Sequence, residues 1–135
     1  MRASVLFKNE YLTIACDRTQ RILVITRSAK PFERVEEIDV ARLALSRAFP
    51  ESQRVGFSVL NDYRLAPVRV HPAHEPAFAR FRAETELGFT CAAHVVASPV
   101  GRVRSDRLRG TGTLPSKMFQ TFDEALTYLV EAQSS

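Results

Sequence analysis

From Tyr11 to Glu131 the chain alternates short runs rich in β-branched residues with longer amphipathic stretches. An alternation sustained over that length points to one class of architecture, a mainly parallel sheet with helical crossovers. Tyr11–Cys16 and Arg21–Arg27, separated by Asp17-Arg18-Thr19-Gln20, read as a hairpin. Ile22-Leu23-Val24-Ile25 is continuously apolar, as in a strand covered on both faces. Glu33 to Phe49 reads as a helix: Ile38, Ala41, Leu45 and Ala48 recur at helical spacing, Glu36, Asp39, Arg42 and Arg47 lie mostly on the other side, and Pro50 ends it. Arg54–Leu60 is the next strand, closed by Asn61-Asp62. After a loop holding Pro67 and Pro72, Pro76 sits in the first turn of a helix that runs to about Leu87. Phe78 and Phe81 point one way on it, Arg82 and Glu86 share another face, and Gly88 is placed as its cap.

Thr90–Ala97 is a fourth strand, after which Ser98 caps a helix led by Pro99 and reaching about Arg109. Gly110-Thr111-Gly112-Thr113 breaks that helix, and Met118–Thr121 forms a short last strand. Thr121 and Glu124 match a capping box ahead of a closing helix, Asp123 to about Glu131. The order β-β-α-β-α-β-α-β-α predicts a single α/β domain over residues 1–135, its core at about 10–131: one mixed, mostly parallel five-stranded sheet flanked by four helices.

Composition narrows the function classes. With 135 residues, 45% of them hydrophobic, the chain can close a core without a metal or a disulfide. No apolar run approaches membrane-spanning length, and the apolar stretch after Arg2 is too short for a leader, so the expected setting is cytoplasmic. The two cysteines, Cys16 and Cys91, sit inside apolar runs and read as buried small hydrophobes. The net charge of +4 comes mostly from arginines spread along the chain, with lysine only at positions 8, 30 and 117. Nucleic-acid binding also wants aromatic residues among the basic ones, and the arginine-rich stretch 102–109 has none.

An opening hairpin, three helix–strand units and a final helix resemble the STAS-like fold, the family of anti-sigma-factor antagonists and sulfate-transporter C-terminal domains. The stretch Val59-Leu60-Asn61-Asp62-Tyr63-Arg64-Leu65-Ala66-Pro67, followed by Pro76-Ala77-Phe78, is similar to divergent STAS-like proteins that carry an Asp-x-Arg-x-Ala-Pro pattern there. In the antagonists, an aspartate at a strand end is followed by a phosphorylatable serine. Here Asp62 matches the aspartate, Tyr63 stands in the serine's place, and no Ser or Thr occurs between Asn61 and Thr85. The resemblance therefore implies a scaffold without the phosphorylation switch, working by docking to proteins or by holding a small ligand.

Open α/β sheets bind ligands beyond the carboxyl ends of their parallel strands. Those ends gather Arg27-Ser28, Asp62-Tyr63-Arg64, Ser98 to Arg102 and Thr121. Arg64, Ser98 and Arg102, with free N–H groups at a helix start, could hold a small anion such as a nucleotide, metabolite or lipid head group. Equally, Ser98 and Thr121 can serve as plain caps, and Arg64 can pair with Asp62. Asp62, Tyr63 and Arg64, together with Arg104 and Arg107 of the arginine-rich helix, form a candidate surface for another protein or a second copy; a solvated face is the ordinary alternative. His71, His74 and Glu75 could bind a metal, but Pro72 bars a helical pair and no further ligand is at hand, so none is expected. His94 reads as a half-buried structural residue. No nucleophile motif occurs, and Gly110-Thr111-Gly112 lacks the Gly-Lys-Ser/Thr ending of a phosphate loop. The expected product is a non-catalytic regulatory or interaction module without cofactor, with an anion sensor as the alternative.

Overall fold

The computed structural model describes residues 2–67, 71–97 and 114–134. Its strands are β1 (Ser4–Lys8), β2 (Leu12–Asp17), β3 (Ile22–Arg27), β4 (Ser58–Asp62), β5 (Ala92–Val95) and β6 (Ser116–Phe119), and they form one sheet in chain order. β1–β2 and β2–β3 pair antiparallel; β3–β4, β4–β5 and β5–β6 pair parallel. The helices are α1 (Val35–Ala48), α2 (Glu75–Glu86) and α3 (Phe122–Gln133). The α/β class and the parallel pairings agree with the alternation read from sequence. The strand count does not: there are six strands, because Ser4–Lys8 adds a second antiparallel edge. Three of the four expected helices lie among the described residues; the expected helix from Ser98 to Arg109 lies outside them.

Alternation along each strand divides the sheet into two apolar faces. On one, Leu12, Ile14, Leu23, Ile25, Val59 and Ala92 pack beneath α1 and α2, which contribute Ile38, Ala41, Leu45, Ala77 and Phe81. On the other, Ile22, Val24, Leu60, Ala93 and Val95 lie under Ala125 and Leu129 of α3. β3 is thus covered on both sides, which is why it is continuously apolar. Burying one Leu or Ile completely stabilises by about 1.5–3 kcal/mol, so these two layers dominate the favourable side of folding.

Local chemistry sets the ends. α1 opens where the Glu37 carboxylate accepts from the backbone N–H groups of Glu33 (2.8 Å) and Arg34 (2.9 Å). α3 opens on Thr121, whose hydroxyl oxygen accepts from Glu124 N at 3.2 Å and donates to the Glu124 carboxylate at 2.8 Å. Past α2, Gly88 takes a φ of +82°, a left-handed turn open to glycine without strain. β4 starts at Ser58, later than expected, because Arg54 to Phe57 is a turn closed by a Phe57 N–H to Arg54 carbonyl bond of 2.9 Å, with Gly56 at a φ of +79°.

Arg54, expected to begin that strand, is fully buried instead. Its Nε donates to the Phe49 carbonyl at 2.8 Å, and its Nη1 donates to the Glu84 and Leu87 carbonyls, both at 2.8 Å. Nη2 lies 2.9 Å from the Glu84 carboxylate. One guanidinium therefore satisfies open carbonyl groups at the C-terminal ends of both α1 and α2.

Candidate functional site

The carboxyl ends of β3, β4 and β5 carry different chemistry on the two faces of the sheet. On the α3 face, β4 ends in Asp62, whose Oδ1 accepts from Arg64 N (3.2 Å) and Nε (3.0 Å), and whose Oδ2 accepts from Arg64 Nη2 (2.8 Å). Asp62 is buried, whereas the Arg64 side chain is 43% exposed. Its hydrogen bonds to Asp62 raise the Arg64 pKa above the ordinary arginine value. The fork of Arg64 is thus occupied by a carboxylate of its own loop, the alternative to a free anion ligand. Ser98, Arg102, Arg104 and Arg107, expected to share the anion site or the docking surface, lie outside the described residues. Thr121 caps α3.

On the α2 face the strand ends are polar and buried. Asn61 and His94 are register neighbours on β4 and β5. Arg27 and Tyr63 follow one step beyond the last β3–β4 pair, Thr26 and Asp62. α2 covers this row with Arg82, buried, and with Glu86. The Asn61 amide nitrogen lies 3.5 Å from His94 Nδ1, and His94 Nε2 lies 3.6 Å from a Glu86 carboxylate oxygen. The Tyr63 and His94 rings stack with centroids 6.3 Å apart, and the Arg82 guanidinium lies 5.1 Å from the centre of the Tyr63 ring. Arg27 donates from Nε to the Tyr11 carbonyl (3.1 Å) and from Nη2 to the Lys30 carbonyl (3.3 Å), with its guanidinium 4.2 Å from the Phe32 ring centre. Burial pushes the Arg27 pKa down to about 10, with Tyr63 acting in the opposite direction.

Several placements differ from those read in sequence. Arg82 and Glu86 share a face of α2, as read from sequence, and that face is turned onto the polar row of Asn61, Tyr63 and His94. His94, expected half-buried, is fully buried. Tyr63 is half-buried, and its hydroxyl is inaccessible. Arg27 was placed at the rim by sequence; Asn61, Arg82, Glu86 and His94 were not read as site residues. The signal available was the break that Asn61 and His94 make in otherwise apolar runs. His71 accepts a bond from Ala73 N at 3.1 Å and so caps the short 3-10 turn Pro72–His74. Among the described residues, no three His, Cys, Asp or Glu side chains are grouped to hold a metal.

No family model matches the chain, and no curated protein matches it. A solved structure does: an uncharacterized protein of the DUF3478 family from Shewanella loihica, described as having a SpoIIAA-like fold, aligns with a TM-score of 0.67 over 91% of this chain and 97% of its own. The fold is SpoIIAA-like. At 14% identity the likeness is one of backbone. It agrees with the STAS-like element order; in this chain the Asp62–Tyr63–Arg64 turn lies at the end of β4, a parallel strand. Among the described residues, no helix of this SpoIIAA-like chain is long and apolar enough to cross a membrane.

Proposed function

We propose that the chain is a non-catalytic STAS-like module that docks onto another protein, or onto a second copy of itself, through the loop that follows β4. The observation that carries this reading is the state of the β4 end. The position that resembles the antagonists' phosphorylated serine holds Tyr63, whose hydroxyl is buried, and the preceding Asp62 is bound on both oxygens by Arg64. A kinase reaches neither group, so the loop offers a fixed surface rather than a switched one. Catalysis finds little to work with in the polar row: both ring nitrogens of His94 face protein groups, Asn61 on one side and Glu86 on the other, which leaves no free base beside a nucleophile. The loop also presents the Arg64 head group, held in one orientation by Asp62, with Leu65, 65% exposed, next in the chain; arginine is among the residues enriched at the anchors of protein contacts.

Site-specific photo-crosslinking tests the reading. A benzophenone amino acid replaces Leu65 in one variant and Val55, which is more exposed and lies at the opposite end of the strands, in another. The expected result is a discrete adduct from position 65 that weakens when Arg64→Ala releases Asp62. Labelling from position 65 no stronger or more discrete than from position 55 overturns it.

A further inference from the structure

The buried polar row beneath α2 carries more positive charge than the protein around it balances. Arg82 is 9% exposed, yet among the described residues it has no carboxylate within ion-pair distance and its Nε has no hydrogen-bond partner. Arg27 is equally buried and gives its hydrogen bonds to two carbonyl oxygens, again with no carboxylate within ion-pair distance. Glu86 faces His94 rather than either arginine. Aromatic faces take up part of the charge, Phe32 under Arg27 and Tyr63 under Arg82, but such contacts are weak beside the desolvation cost of a buried ion. Two neutral polar atoms in the same row are also unsatisfied: the Tyr63 hydroxyl and Asn61 Oδ1, the latter on a residue with no accessible surface.

Among the described residues the two arginines lack a counter-charge, and Arg82 Nε and the Tyr63 hydroxyl lack an acceptor, all in the same row. Tyr63 links the two arginines, since its ring lies under Arg82 and it follows Asp62 where Arg27 follows Thr26, the last register pair of β3 and β4. We propose that this row is a binding site for a small oxyanion, a phosphate, sulfate or carboxylate group, held by the guanidinium groups of Arg27 and Arg82 and by the Tyr63 hydroxyl. The planar guanidinium of Arg82, with Nε unused, matches the oxygens of such a group; Arg27, whose Nε and Nη2 are held by carbonyls, adds Nη1, and an O–H donor to an anion is stronger than one to a neutral acceptor. The Asn61 amide takes part by turning over: its nitrogen then donates to the anion while its oxygen accepts from a protonated His94 Nδ1. Entry is from the rim beside half-buried Tyr63, at the carboxyl ends of the parallel strands where open α/β sheets hold ligands. The site is separate from the Asp62–Arg64 pair, which lies on the α3 face, and it requires no partner at the docking loop.

The test is thermal unfolding of the whole chain in inorganic phosphate, sulfate and acetate, each against chloride at matched ionic strength. At least one of the three raises the melting temperature saturably, by roughly 10 °C at a hundredfold excess over Kd. A response to phosphate or sulfate alone identifies a tetrahedral group, and a response to acetate identifies a carboxylate. Arg82→Gln removes the response, and in chloride it melts no lower than the parent, since it deletes an uncompensated charge. If Arg82→Gln does not fold, Tyr63→Phe takes its place and weakens the apparent affinity at least threefold. No response beyond chloride from any of the three anions, or a response undiminished in the folded variant, overturns the proposal. Either outcome is independent of the crosslinking at position 65.

Discussion

Arg54 offers the sharpest test of how this molecule is held together. Replacing it with Met keeps most of the side-chain volume but removes three bonds to helix-end carbonyls and the charge partner of Glu84. Breaking one side of a buried ion pair costs about 3–5 kcal/mol, because the remaining charge and acceptors stay out of water. Unfolding entropy of about 2.1 cal/mol/K per residue gives about 0.28 kcal/mol/K for a chain of 135 residues. Arg54→Met is therefore expected to lower the melting temperature by about 11–18 °C. Glu84→Gln leaves the three carbonyl bonds in place and removes only the charge partner, a loss of about 1.5–3 kcal/mol, or about 5–11 °C. Calorimetric melts of the two variants check both the size and the order. If Arg54→Met melts within about 3 °C of the parent, or above Glu84→Gln, then the guanidinium is not what ties the ends of α1 and α2 together.

Three further outcomes follow from other sites. The Glu37 carboxylate accepts a hydrogen bond from the Tyr11 hydroxyl, and that bond, with those from the backbone of Arg34 and Glu33, holds its pKa below the usual glutamate range. The stabilisation is fully present above the unfolded-state pKa of about 4.3 and is lost as pH falls through the lower folded-state value, so the gap in urea midpoint between the parent and Tyr11→Phe narrows from about pH 7 to about pH 2.5. Gly88→Ala is expected to destabilise by about 1–2 kcal/mol in urea titration. The new Cβ would sit at a φ of +82° and 3.0 Å from Glu51 Cγ, so an unchanged midpoint contradicts that account. Cys16 and Cys91 are both buried, and burial raises the Cys16 pKa, so neither should react with a thiol reagent until the chain unfolds; prompt release of one equivalent from native protein would disprove this.

Apolar periodicity made most of the fold legible, because both faces of the sheet are buried and every covered strand carries its pattern in the open. β1 escaped because it is mostly exposed: Val5 and Leu6 face solvent and only Phe7 of the strand packs against the core, so no alternation marks Ser4–Lys8 as a strand. The buried arginines were hidden for a different reason. Arg54 bonds to carbonyls 30 and 33 residues away, and Arg27 to one 16 residues away, and backbone acceptors leave no trace in a side-chain pattern. An arginine on a helix reads as solvated, so the inward turn of Arg82 became visible only with Asn61, Tyr63 and His94 beneath it. The Asp62–Arg64 pairing could be foreseen because both partners lie in one short turn.

Because spatial order along the sheet repeats chain order, no strand must be wedged between two that are already joined. The layer can be laid down from its amino-terminal edge outward, each new strand adding to the last, as synthesis proceeds. α3, which follows all six strands in the chain, is the lid for Ile22, Val24, Leu60 and Ala93. A nascent or truncated chain that stops at β6 therefore leaves an oily flank open across the middle of its sheet, and it is in that unfinished form that the molecule is most exposed to aggregation.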